Sequence, residues 1–242
     1  MDLKEIYYEG LVVGPRECKT ALQRRLTAVK DLLENPSLLQ DKFPFPIPSF
    51  ERKSASLLTF RSDKKLPFWI GAMTWVLEPE KDVAIPVLQL PTKRRIPWLS
   101  EEEIVRHEEV HARRALFNER RFEEILAYHT SSSTWRRFLG PLFQTNKEST
   151  LFLLLLLPPF FSAWFYSIPA LYLTLLLLRL MQNQYIYKRA YQNLQKSFIK
   201  AEKVLECLQD DEIVLFAKGK EDAIIKTSLR WQQIFLLFKR QN

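Results

Sequence analysis

Cysteine is nearly absent: Cys18 and Cys207 are the only thiols in 242 residues. Two thiols so far apart in sequence cannot make a disulfide framework, which fits a reducing compartment better than a secreted scaffold. A secretory leader is also missing, because Met1 to Gly10 carries Asp2, Lys4 and Glu5 and has no apolar core. The first 148 residues are therefore expected in the cytoplasm. Charge is missing from one long stretch: Ser149 to Leu178 is 30 residues without a single charged side chain. Elsewhere charge is plentiful, 36 Lys and Arg against 28 Asp and Glu, a net of +8. With 47% apolar residues, the chain is neither a disordered tail nor too small to bury a core.

The basic residues bunch around the uncharged stretch, as Arg136, Arg137 and Lys147 before it and Arg179, Lys188 and Arg189 after it. Membrane lipids with anionic headgroups are the simplest partner for that pattern. No recognised binding motif accompanies the charge, so no nucleic acid is expected. Thirty residues are long for one crossing, which needs roughly 20, and short for two, which need about 40. Pro158 and Pro159 interrupt the first half, and Ser167, Ile168 and Pro169 form a second break. These breaks favour a transmembrane helical hairpin, Thr150 to Tyr166 and Pro169 to about Tyr185, with both basic flanks cytoplasmic. One kinked span is the alternative. Arg179, near the end of the second arm, is placed to snorkel.

Ahead of the membrane stretch, Leu22, Leu26, Val29 and Leu33 share one face of a helix expected over Arg16 to Leu33. Nine prolines from Pro36 to Pro97 then exclude long helices and favour short extended pieces. Strands are expected at Ala55 to Phe60, Phe68 to Leu77 and Val83 to Leu90. Pro86 puts the last of these at a sheet edge, since proline cannot donate to a central ladder. Beyond the membrane stretch, Tyr187, Tyr191, Leu194, Phe198, Ala201, Leu205 and Leu208 recur at heptad spacing. This 187–208 seam either forms a homodimer or packs on the chain's own Leu22 to Leu33 helix. A last helix near Ser228 to Arg240 presents Trp231, Ile234, Phe235 and Phe238 on one face.

Histidine is scarce too, and all three, His107, His111 and His129, fall within 23 residues. They follow a clear helix start: Ser100 is placed to cap while Glu103 reaches back, and Glu101 to Glu103 complement the helix dipole. That helix should run from Glu101 to about Phe117. It carries His107-Glu108-Glu109-Val110-His111, an HExxH pattern. Four residues advance a helix by about 6 Å and 400°, so the two imidazoles leave the same face one turn apart, as two ligands of one zinc must. Glu108 lies about 100° round, within reach of a water at the metal but not ligating it. After a turn at Asn118, a second helix near Arg120 to His129 folds back. It offers a third ligand: Glu124 ranks first, Glu123 second and His129 third, with Glu119 too near the turn. Tyr128 or His129 is close enough to steady an oxyanion. Arg113, Arg114, Arg120 and Arg121 are expected on the solvated or lipid-facing surface.

The HExxH element and Phe122-Glu123-Glu124-Ile125-Leu126-Ala127-Tyr128 together resemble the zinc-binding helices of gluzincin metallopeptidases, where the ligand glutamate begins an E-x-x-A pattern, here Glu124 to Ala127. The resemblance covers Ser100 to His129. It implies Zn2+ held by His107, His111 and Glu124, Glu108 as the catalytic base, and a protein or peptide substrate. It also implies that the strand before the motif helix, Val83 to Leu90, binds an extended peptide. The expected whole is an α+β protein: a small zincin-like sheet-plus-helices domain at 1–148, a transmembrane hairpin at 149–186 and a C-terminal helical region at 187–242. Its function would be that of a membrane-anchored zinc metallopeptidase in a cytoplasmic or inner membrane, its catalytic domain facing the cytoplasm. The alternative is a non-catalytic membrane scaffold with a structural or vestigial metal site.

Overall fold

The computed structural model describes residues 2–35, 43, 50–52, 58–66, 71–80, 83–93, 99–160 and 162–240. The architecture is mixed α and β. After α1 (Leu3–Tyr8) and α2 (Lys19–Glu34) comes a four-stranded sheet of β1 (Phe50–Arg52), β2 (Leu58–Arg61), β3 (Met73–Glu80) and β4 (Val83–Leu90). The strand order is β1-β2-β4-β3, with β2 and β4 parallel and the other two pairings antiparallel. Alternation along β4 sorts its two faces. Ile85 and Val87 join Phe60 in packing under Val29 and Leu32 of α2. Leu88 and Leu90 pack with Ile104, Val105 and Ala112 of the next helix, α3 (Glu101–Arg114). The sheet is thus sandwiched between α2 and the helix that carries the histidines. The expected beginnings of the first two strands, 55–57 and 68–70, lie outside the described residues.

One expectation for the sheet and one for α3 are overturned. β4 is an interior strand, and the edge next to it is β3. Pro86 is tolerated because the described ladder to β2 starts at Val87, one residue further on, so its missing N–H costs no bond there. The capping box at the start of α3 is only half made. Ser100 accepts from the Glu103 N–H at 3.1 Å. The Glu103 carboxylate does not reach back, because Ser131 and Arg136 take it up.

The chain continues through α4 (Glu123–His129), α5 (Thr134–Leu139) and α6 (Asn146–Leu155) to α7 (Ser167–Ser197), and ends with α8 (Ala201–Glu206), α9 (Asp210–Ala217) and α10 (Leu229–Phe238). Among the described residues, one helix is long and apolar enough to cross a membrane, Trp164–Ser197, with a mean hydropathy of 1.5 over 18 residues. A second spanning arm of the expected hairpin is not seen among the described residues. The first arm is helical only to Leu155 and continues as short turns of 3-10 helix at Pro158–Phe160 and Ala163–Tyr166. Pro158 and Pro159 lack the amide hydrogens that would continue the helix, and ten helical residues reach about 15 Å, half a hydrocarbon core. The arms still adjoin: Phe152 stacks near Tyr172, and Arg179, rather than snorkelling alone, pairs with Glu148 at 2.6 Å.

α7 does not stop at the end of its apolar half. It runs on into the main core, where Tyr187, Ala190 and Leu194 are buried with Val12, Val110, Phe122, Trp231 and Ile234. Residues 1–148 and 187–242 therefore share one core. The heptad seam is not one helix, because α7 ends at Ser197 and Phe198 is extended, bridged to Lys239. Phe198, Ala201, Leu205 and Leu208 are all buried in that same core. The face expected to serve a homodimer is filled from within the chain, by the α3, α4 and α10 regions and not by α2.

Candidate metal centre

α3 and α4 lie side by side after a reversal at Asn118, whose φ of 51° is the left-handed conformation that asparagine tolerates better than most residues. The reversal brings together His107, His111 and Glu124, one ligand atom from each lying within 4.8 Å of the others. The two Nε2 atoms are 3.3 Å apart. A tetrahedral zinc with Zn–N bonds of about 2.05 Å would hold two nitrogens about 3.3 Å from each other, so the spacing fits the ion. The Glu124 carboxylate completes the group, 3.6 Å from Nε2 of His111 and 3.9 Å from Nε2 of His107. Three donors of this kind could hold a metal ion and leave a fourth position open.

The other ranked residues go elsewhere. Glu123 sits on the far side of His111, accepting from Nδ1 at 2.8 Å. That contact turns Nε2 toward the common point, the role a carboxylate behind a ligating histidine usually plays. His129 stacks on Tyr187 at 4.1 Å and faces a different groove. Glu119 accepts from the backbone N–H of Asp210. Tyr128 does reach the site, its ring 4.6 Å from that of His107. Gly140 packs so closely against the Tyr128 ring that any Cβ there would overlap it, so the absence of a side chain is what admits the tyrosine.

These groups line a cleft of about 590 Å³. β3 supplies one wall through Met73, Thr74 and Val76, and the foot of α6 supplies another through Asn146 and Ser149. Glu108 points into it and accepts a hydrogen bond from the Thr74 hydroxyl at 2.7 Å. Thr74 had no signal in the sequence, since only the strand order brings it to α3. Three ionisable groups of the cleft depart from their ordinary pKa values. Burial raises Glu124 to about 7, helped by the neighbouring Glu108 and Glu123 charges and opposed by His111. Burial also works against a charge on His111, but the Glu123 hydrogen bond and the Glu124 and Glu108 carboxylates outweigh it and carry the ring to about 9. Burial, with the charges of His111 and Arg136, drives His107 down to about 3, so its lone pair stays available.

One turn beyond His111 on α3 is a residue placed contrary to expectation, at the border of the same cleft. Arg114 is buried rather than on the surface, and its guanidinium donates to the carbonyl oxygens of Glu206 and Leu208 and to Asp210. It lies at the same helical phase as Val110 and Phe117, both buried, so periodicity marked the position even though the residue type argued against it. Arg113 is paired as well, with Glu206 at 2.8 Å, while Arg120 and Arg121 are exposed. Compared with family models, with curated proteins and with solved structures, the chain matches none.

Proposed function

We propose that this chain is a membrane-anchored, zinc-dependent metallopeptidase whose cleft faces the cytoplasm close to the bilayer. The observation that carries the reading is the convergence of both HExxH imidazoles and Glu124 on one point, with the Glu108 carboxylate in the same cleft. The donor set is that of the gluzincins this segment resembles. It has three members among the described residues, whereas a structural zinc site has four, which favours catalysis over a scaffold. Zinc held by His107, His111 and Glu124 would bring the pKa of a water toward 7 and polarise a peptide carbonyl.

The chain's own residues do the rest. Thr74 fixes one oxygen of Glu108, and the other is free to take a proton from the attacking water and return it to the leaving amine. Tyr128, whose phenol burial and the Glu124 charge keep protonated, donates to the oxyanion. The peptide itself would add to the outer edge of β3, which lines the cleft and has no further strand beside it among the described residues; β4, the strand first expected in that role, is covered on both sides. Asn146 and Ser149 in the cleft wall lead straight into the uncharged stretch, which supports a site at the bilayer surface.

Glu108→Gln tests the reading. The amide removes no ligand, so zinc content should match the wild type. Turnover should fall by roughly 10² or more, the scale of general acid-base help. The readout is a full-length membrane protein accumulating in cells that carry the variant. If Glu108→Gln complements a deletion strain as well as wild type does, a membrane scaffold with a structural metal becomes the better account.

A further inference from the structure

α4 borders a second cavity through His129, separate from the cleft lined by Glu124 and Tyr128. It holds about 690 Å³ and lies between α5, which contributes Arg137 and Phe138, and one face of α7. Five of the eight α7 residues on that wall, Met181, Tyr185, Lys188, Gln192 and Gln195, recur at spacings of four, three, four and three. They form one slowly winding stripe. Traced toward the start of the helix, the stripe continues as Leu178, Leu175, Leu171 and Ile168, all of them exposed. A single helix face therefore passes without a break from bare apolar side chains into a groove with polar and cationic walls. The change takes the seven helical steps from Met181 to Lys188, about 10 Å of helix, enough to cross the roughly 5–8 Å headgroup layer on one side of a bilayer.

The groove's polar end is cationic. Arg137 and Lys188 line it, and Arg189 covers Tyr185 with its guanidinium 5.6 Å from the ring, against one carboxylate, Glu202. The Nε atom of Arg137 is buried with no hydrogen-bond partner among the described residues, an arrangement that costs free energy unless something accepts from it. A helix from a second copy would suit Leu171 to Met181 but would bury Arg137 and Lys188 without anions. An anionic lipid satisfies both halves.

We propose that this groove binds one anionic phospholipid, its acyl chains along Leu171, Leu175, Leu178 and Met181 and its phosphate between Arg137 and Lys188. The inference rests on the apolar half of α7 lying in lipid, and it is independent of the metal site.

The test uses the full chain in detergent, offered phosphatidylglycerol and phosphatidylcholine, with retained lipid counted by native mass spectrometry. One phosphatidylglycerol per chain should be retained in preference to phosphatidylcholine. Lys188→Gln, an exposed position that cannot unfold the protein, should weaken retention about fivefold, and the pair Arg137→Gln with Lys188→Gln about thirtyfold, from the usual contribution of each basic residue. Excess glycerol 3-phosphate should not displace the lipid. Equal retention of the two lipids, retention unchanged in the double variant, or displacement by glycerol 3-phosphate would each overturn the site. Carbonate washing of native membranes separates the premise from the proposal: release of the chain removes the lipid-embedded reading, whereas firm insertion without lipid preference removes only the groove.

Discussion

Two successive turns of α3 treat polar groups in opposite ways. On one, Arg114 is answered by its own chain, by two carbonyls and by Asp210, with Glu119 3.6 Å away. On the other, two imidazole nitrogens and a carboxylate aim their lone pairs at one place and cannot satisfy each other once both rings are neutral. A polar cluster that closes on itself holds a structure together. A cluster of acceptors that converges on a point is built for something electropositive.

The contrast should appear most strongly in stability. Arg114→Ala strands Asp210, Glu119 and two carbonyls, and breaking a buried pair from one side costs about 3–5 kcal/mol. His107→Ala in the metal-free protein should barely move the melting temperature, because the ring it removes is held by no comparable network. Thermal unfolding followed by circular dichroism checks both, and equal shifts in the two variants would erase the distinction between the two turns.

A smaller effect sharpens the division within the cleft itself. Glu123→Ala should keep all three ligands yet bind zinc about 10 to 100-fold more weakly, since a carboxylate behind a ligating histidine typically contributes that much. Glu124→Ala should lose the metal outright. Competition with a chromophoric chelator distinguishes the two, and stronger zinc binding by Glu124→Ala than by Glu123→Ala would exchange their roles.

A further difference is the dependence on pH. Zinc needs His111 without its second proton and Glu124 ionised, but the metal-free cleft holds these groups at about 9 and about 7. Between pH 7 and 9 binding must release one proton from His111, so affinity should rise about tenfold per pH unit. Below pH 7 Glu124 must also give up a proton, and the slope should steepen. Titration calorimetry in buffers of different ionisation enthalpy counts the protons, and a flat affinity from pH 6 to 9 would contradict the electrostatic account of the cleft.

The parts legible in the sequence are those fixed by local geometry. The spacing of His107 and His111, the Ser100 cap and the bounds of Val83 to Leu90 depend on residues a few positions apart. What depended on distant partners was not legible. Thr74 reaches Glu108 only because β3 takes the edge, and no local pattern states the strand order. Arg114 lies on the buried face because carbonyls more than 90 residues later are waiting for it. The heptad spacing persists through Phe198 although the helix does not, because burial on one side repeats at similar intervals around a sharp bend as well as along a rod. The first apolar arm carried enough leucine for a span, but its two prolines decided its length.

The shared core also sets a schedule. The motif helix leaves the ribosome long before the segment that clamps it, since the Arg114 and Asp210 contact joins residues 96 positions apart and Val13 is tied to Gln233 across 220. At about 5–20 residues per second, the histidines wait roughly five to twenty seconds for Asp210 to be made, and the uncharged stretch is translated in that interval. The core that backs the motif helices can therefore be completed only after the apolar helix has been synthesised and has had the opportunity to enter a bilayer. A cleft backed by that core lacks its support on the nascent chain until most of the protein has been made.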